Sequence, residues 1–245
     1  MTTSSFRPAA DDAAIARARD HYRRHGFVRL EPAVAPADAE ALFAWLTGEA
    51  EWWRVLNQGE DKVFELGPEA QAALEADPAR AEALEAAIRK GARDGFQFIY
   101  DTVRTADSQS ERQARGWPVD QLVEALNSER WLALFRHITG ADDAVMVDGQ
   151  ATRYLPGHFL TAHSDEVEGK GRRAAYVLGL TPSWRVEWGG LLMFHGADGD
   201  VARALMPRFN TITLFSVPNL HSVSSVAAAA GGPRFSVTGW LRSAV

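Results

Sequence analysis

The sequence predicts a mainly β fold with helical support: a sandwich or barrel in the C-terminal part, with N-terminal helices packed outside it. Two observations carry this reading. From residue 141 onward, short runs of strand-like residues follow one another with turn residues between them, the spacing of an all-β sandwich or barrel. Before that, Ala-, Glu- and Arg-rich segments repeat at helical spacing, and nowhere does a regular βαβ alternation suggest a nucleotide-binding sheet.

The elements follow in order. "ADDAAIARARDHYRRHG" reads as a helix closed by Gly26, and "FVRLE" after it as a short strand. "APADAEALFAWLTGEAEWW" reads as a second helix, with Pro36 in its first turn and Asp38 and Glu40 placed to complement its dipole. "GPEAQAALEADPARAEALEAAIRKGARDG" gives two helical pieces broken at Pro78, with a solvated charged face. "FQFIYDTVR" alternates as a strand, and "WPVDQLVEALNSERWLALFRHITG" is helical. The expected C-terminal strands are "DAVMVDGQATRYL", "RRAAYVLGLT", "GGLLMFHG", "FNTITLFSV", "HSVSSV" and "RFSVTGWLR". Residues 1–245 are read as one domain, with 1–140 mostly helical and 141–245 the β-core. The polar segment "RTADSQSERQARGW", residues 104–117, is expected to be a long connection and is a candidate mobile lid, with Arg112 or Arg115 reaching a substrate.

Composition narrows the function. The chain has 245 residues, 46% hydrophobic and 24% charged, an ordinary globular balance. A net charge of -6 argues against nucleic acid or an anionic membrane as partner, and says nothing about oligomeric state. No cysteine is present, which excludes disulfides, thiolate metal sites and a cysteine nucleophile. Any metal must be held by His, Asp, Glu or main chain. The N-terminal residues lack an apolar signal-like core, and no apolar run approaches the roughly 18 residues of a membrane span, so the expected compartment is the cytoplasm.

The stretch "RYLPGHFLTAHSDEVEG" concentrates candidate ligands. On a strand, His163 and Asp165 point to the same side, so both can reach one ion. His221, at the start of a later strand, offers a third ligand, and two histidines with one carboxylate form the facial triad expected for non-haem Fe(II) oxygenases. H-x-D by itself also occurs in ordinary turns. "RFSVTGW" adds Arg234 and Ser236 on one strand face, and a hairpin through "AAAAGG" would make that strand the neighbour of the His221 strand. An arginine inside a barrel calls for an anion, and a guanidinium suits a carboxylate. His158 and His195 fall out of register with the triad, Glu166 and Glu168 read as solvated, and Trp240 reads as core, with the substrate side of the barrel as the alternative. Gly189 and Gly190 allow either a hairpin turn or a close backbone approach.

"YLPGHFLTAHSD", "EWGGLLMFH", "FNTITLFSVPNLHSV" and "RFSVTGWL", in this order over residues 145 to 243, resemble the Fe(II)- and 2-oxoglutarate-dependent dioxygenases, in particular their prolyl-hydroxylase branch with its bacterial relatives of ribosomal-protein prolyl hydroxylases. The resemblance implies a double-stranded β-helix, or jelly roll. It implies that His163, Asp165 and His221 are the catalytic, metal-binding residues. It also implies that Arg234 pairs with the distal carboxylate of 2-oxoglutarate, assisted by Ser236 and Tyr154. The implied cofactors are Fe(II), 2-oxoglutarate and O2, with ascorbate a candidate reductant. The implied reaction hydroxylates an unactivated C–H bond, foremost of a prolyl residue in a peptide or protein, with succinate and CO2 as co-products. A free amino acid or small natural product remains an alternative substrate on the same core. From other classes, a metal-dependent hydrolase and an inactive jelly-roll binding protein remain open.

Overall fold

The computed structural model describes residues 6–59 and 62–244. Seven helices and thirteen strands are formed among them. Helix α1 (Asp12–His25) begins where the Asp11 side chain accepts from the Ala14 N–H and ends at Gly26, whose left-handed backbone returns its N–H to Tyr22 O. Strand β1 (Phe27–Leu30) follows, then α2 (Pro36–Gly48). The second helix stops short of the expected "EAEWW". Trp53 instead opens β2 (Trp53–Gln58), because the alternating "WRVLNQ" finds partners in β3 (Lys62–Leu66) and in the more distant β4 (Phe98–Arg104). Helices α3 (Pro68–Glu75) and α4 (Pro78–Asp94) break at Pro78 as expected.

Residues 104–117 are not a structureless lid. Helix α5 (Gln109–Arg115) occupies the segment, opened by a reciprocal Ser108–Glu111 capping box. It packs on α6 (Pro118–Leu126). Arg112 is taken up by Glu124 and by the Ala106 and Asp107 carbonyls, and Arg115 grips the fully buried Asp120 with Nε and Nη2, its Cζ 3.8 Å above the Trp117 ring. Neither arginine is free to reach a substrate. The polarity of the segment reflects ion pairs with the next helix, a partnership that local pattern does not reveal.

After α7 (Glu129–Thr139) the strands are β5 (Ala144–Val147), β6 (Gln150–Tyr154), β7 (Phe159–His163), β8 (Arg172–Leu180), β9 (Leu192–His195), β10 (Val201–Leu205), β11 (Phe209–Ser216), β12 (His221–Val223) and β13 (Arg234–Ser243). "DAVMVDGQATRYL" is thus two strands, interrupted at Asp148 and Gly149, and both pair with β13. The sheet runs β1-β11-β8-β13-β6-β4-β7-β12-β9-β10. Strand β4 joins its two halves: Phe98 and Ile99 pair with β7, and Asp101 to Arg104 pair with β6. The β-core therefore draws four strands from the first half of the chain. The sheet curls on itself as a jelly roll, so that residues of both halves line one cavity.

The strand alternation now has a physical meaning. Tyr176, Leu178 and Leu180 of β8, Ile212 and Leu214 of β11, and Val237 and Leu241 of β13 are buried in one cluster with Leu42, Leu122, Leu126, Trp131, Phe135 and Ile138 of the helices. Alternate residues on the same strands, Ala175 and Val177, Phe215, and Arg234, Ser236, Thr238 and Trp240, line the interior cavity instead. One face is anchored by helices, which leaves the other to carry polar groups. The expectation that the His221 and Arg234 strands are neighbours is overturned. β12 pairs with β7 and β9, whereas β13 pairs with β5, β6 and β8. "AAAAGG" is a crossover between the two halves of the sheet, and Arg234 meets the histidines across the cavity.

Candidate metal and oxo-acid site

The cavity has a volume of about 690 Å3. His163 ends β7 and His221 starts β12, and the two are direct partners in the antiparallel ladder. Asp165, two residues beyond the end of β7, turns back between them: its Oδ1 lies 3.6 Å from His163 Nε2 and its Oδ2 lies 3.5 Å from His221 Nε2. One ligand atom from each residue falls within 4.8 Å of the others.

Each imidazole is oriented by the main chain. His163 Nδ1 donates to Thr161 O at 3.0 Å, and His221 Nδ1 donates to Asn219 O at 2.8 Å. With the proton on Nδ1, each Nε2 presents a lone pair toward the carboxylate, which is the second-sphere arrangement that prepares histidine for a metal. Burial, reinforced by the neighbouring His163, lowers the His221 pKa to about 4 and keeps that ring neutral. Burial opposes the charge of Asp165, but its contacts with His163, His221 and the Trp240 indole outweigh this and hold the carboxyl below its ordinary range. Two lone pairs and a carboxylate face one another, Asp165 Oδ1 lying also 3.9 Å from Arg172 Nη1, and this donor set is chemically suited to a divalent cation. Two imidazoles with one carboxylate fit Fe(II) and leave coordination positions open.

Arg234 enters from the opposite side. It is buried, its guanidinium Cζ stands 5.0 Å from the centre of the Tyr154 ring, and its Nη1 has no hydrogen-bond partner. Burial lowers the Arg234 pKa from its ordinary value. Among the described residues it forms no salt bridge, so the protein itself provides no anion to balance it. Ser236 shares a hydrogen bond of 2.8 Å with Thr152, and Tyr154 stacks on Tyr100 at 5.4 Å. Space beside Arg234 depends on Gly190, where an added Cβ would lie 3.4 Å from Arg234 Cδ. At Gly189, with φ of +65°, an added Cβ would lie 2.0 Å from Ser225 O, so the glycine pair serves close backbone approach. The cavity thus has a His–Asp–His cluster and, separately, a buried guanidinium nitrogen free to take an anion.

All six predicted site residues, His163, Asp165, His221, Arg234, Ser236 and Tyr154, thus line one cavity. Trp240, for which the sequence leaves core and substrate side both open, lines it as well, and the Arg172 guanidinium lies 3.6 Å from the centre of its ring. His158 is buried outside the triad with Nδ1 unpartnered, and His195 Nε2 pairs with Ser222 Oγ at 2.8 Å. Sequence reasoning missed Phe96, Phe98 and Tyr100 as lining residues. Their signal was the period of two in "FQFIY", which sets these three rings on one face. It also missed Gln150 and Arg172, for which no local signal exists.

Residues 149–242 match the family model described as the 2OG-Fe(II) oxygenase superfamily. Over 119 residues, 46% of this chain, the sequence is 36% identical to prolyl 3-hydroxylase OGFOD1 of Xenopus laevis, and the matched stretch is 22% of that relative's length. The fold resembles a Pseudomonas putida prolyl-4-hydroxylase, with a TM-score of 0.56 and 19% identity, covering 94% of this chain and 99% of the other. It also resembles a prolyl hydroxylase from Trichoplax adhaerens solved with a hypoxia inducible factor peptide fragment, with a TM-score of 0.58 and 13% identity, covering 96% and 94% of the two chains.

Proposed function

We propose, from the match of residues 149–242 to the 2OG-Fe(II) oxygenase superfamily model and from the geometry of the site, that this protein is an Fe(II)- and 2-oxoglutarate-dependent hydroxylase acting on a prolyl residue of a peptide or protein. The single observation that carries the reading is the meeting of a His163–Asp165–His221 cluster with the unpartnered, buried Arg234 in one cavity. Neither a hydrolase nor a plain binding module accounts for both halves of that site. The 245 residues are read as one working unit, because β1 to β4 complete the sheet that carries the site.

In this reading His163, Asp165 and His221 hold iron, and Arg234 binds the far carboxylate of 2-oxoglutarate with Ser236 and Tyr154 beside it. Bound iron and 2-oxoglutarate supply the oxidising chemistry, in which O2 converts the oxo acid to succinate and CO2 and one oxygen atom enters a C–H bond of the substrate. The protein's own part is placement. Thr161 and Asn219 carbonyls fix both imidazoles, and the burial of Arg234 shelters the co-substrate carboxylate from bulk solvent. Phe96, Phe98, Tyr100 and Trp240 offer aromatic surface to a small saturated ring such as pyrrolidine. Similarity to prolyl 3-hydroxylase OGFOD1 supports a peptidyl substrate.

The test is succinate release from 2-oxoglutarate by iron-loaded protein with ascorbate. Alongside it, proline-containing peptides, free amino acids and a no-iron control are followed by mass spectrometry for the gain of one oxygen. Iron-dependent turnover with oxygen gain on peptidyl proline is expected. Oxygen gain only on free amino acids would move the substrate class, and no iron-dependent succinate would overturn the reading.

A further inference from the structure

Behind Arg234 lies a second arginine for which the function above gives no role. Arg29 sits on β1, and its register partner is Thr213 of β11. Thr213 pairs in turn with Val177 of β8, and Val177 with Thr238 of β13. Directly opposed residues in antiparallel strands share a face, so Arg29 projects from the same inner face of the sheet as Thr238, and therefore as Ser236 and Arg234. The next row is Thr211, Gly179 and Ser236. Gly179 offers no side chain to fill that row, and a Cβ there would lie 2.3 Å from Arg208 O and 3.0 Å from Thr211 Oγ1. A small cavity of about 10 Å3 remains, and Arg29, Arg208 and Arg234 line it together with Thr211, Thr213 and Ser236. That is space for about one water molecule beside the Thr211, Thr213 and Ser236 side chains.

The charges at this end of the barrel do not balance. Arg29 Nε donates to Thr213 Oγ1 at 3.0 Å and its Nη1 donates to Met206 O at 2.9 Å, both neutral acceptors. Glu31, a nearby carboxylate, is exposed and paired with Arg208 at 3.2 Å. Burial, then Arg208 and Arg234, lower the Arg29 pKa to about 10; a guanidinium keeps its charge at neutral pH, so Arg29 and Arg234 are two cations on one side of the barrel. Two sheltered cations facing one cavity wall, neither with a carboxylate partner among the described residues, form an electrostatic arrangement completed by an anion from outside.

We infer that Arg29 is a positioning and selectivity residue for the co-substrate: from β1, three strands along the same sheet from β13, it adds a second positive charge on Arg234's side of the barrel, so that the site prefers a 2-oxo acid carrying a second carboxylate over one that ends in a methyl group. The inference rests on the reading that Arg234 takes the far carboxylate of 2-oxoglutarate. Thr213 holds the Arg29 head toward the shared cavity, and the cavity's polar lining passes the field to Arg234's side without direct contact between Arg29 and the ligand.

The experiment is calorimetric titration of the full chain, loaded with Mn(II) as an inert substitute, with 2-oxoglutarate and separately with 2-oxovalerate, which has the same carbon chain without the second carboxylate. Arg29→Met is expected to weaken 2-oxoglutarate by about five- to tenfold and to leave 2-oxovalerate within about twofold, since removal of a remote charge acts on the charged end alone. Arg29→Lys, which keeps the charge, is expected to retain most of the dicarboxylate preference. Thr213→Val, which removes the Nε acceptor, is expected to lose part of it, and these two variants answer the question if Arg29→Met does not fold. Equal weakening of both acids, or none of either, would overturn the inference and leave Arg29 as a structural brace of β1. If the unsubstituted protein fails to bind 2-oxoglutarate at all, the functional reading itself falls, and this inference with it.

Discussion

His221 stands opposite His163 across the β12–β7 ladder with ring centroids 4.2 Å apart, so strand register, not a loop, sets the distance between the two imidazoles. Metal affinity should therefore respond to the ligands and to that register more than to other histidines. His163→Ala and His221→Ala are expected to lose metal binding beyond the roughly 10–100-fold of an outer-sphere change. His158→Ala and His195→Ala are expected to keep it, because neither joins the cluster. Mn(II) titration of the four variants checks this, and a loss at His158 equal to that at His163 would contradict the assignment.

Arg234 sets function against stability. Its Nη1 is buried without a partner, so the ligand-free protein carries an uncompensated charge. Arg234→Met should stabilise the ligand-free fold by about 1–3 kcal/mol, since an isolated buried charge is removed. The same change should weaken 2-oxoglutarate by about 2–5 kcal/mol through loss of the charged partner. Denaturant melts with and without 2-oxoglutarate give both numbers, and the two effects must have opposite sign.

Gly189 has φ of +65° and would bring a Cβ to 2.0 Å from Ser225 O. Gly189→Ala is expected to destabilise by about 1–3 kcal/mol, from strained backbone and a steric conflict together. Gly157→Ala is the control: φ is +86°, yet an added Cβ meets nothing within 4 Å, so only the backbone term applies and the loss is smaller. Urea midpoints at unchanged slope measure both.

Asp120 is fully buried, and Arg115 covers it with bonds of 2.6 and 2.7 Å. Arg115→Ala should lower stability by about 1–3 kcal/mol by leaving a buried carboxylate short of donors. Trypsin should cut slowly after Arg112 and Arg115 whether or not 2-oxoglutarate and Mn(II) are present, because both side chains are engaged in the folded α5–α6 pair. Rapid cleavage that the ligands suppress would restore the idea of a lid here.

Local sequence determined a great deal of this protein. The apolar run in "RRAAYVLGL" and the alternation in "RFSVTGWLR" marked strands, and the absence of cysteine confined any metal to histidine, carboxylate or main-chain ligands. His163 and Asp165 were paired from the period of a strand, but Asp165 lies beyond the end of β7 and reaches the cluster by a turn of the chain, which the spacing did not show. Arg234 was legible as a candidate because a charged residue within a barrel strand needs a reason. What only the tertiary structure decided is what lies opposite what. Nothing local says that β12 pairs with β7 instead of β13, that "WRVLNQ" is a strand completed by β4, or that Arg112 and Arg115 are held by Glu124 and Asp120. Nor does "FVRLE" show that Arg29 faces the same cavity as Arg234. The physical reason is that side-chain period and turn chemistry act between near neighbours along the chain, whereas strand order, ion pairing and charge balance in a closed barrel arise between residues that only folding brings together.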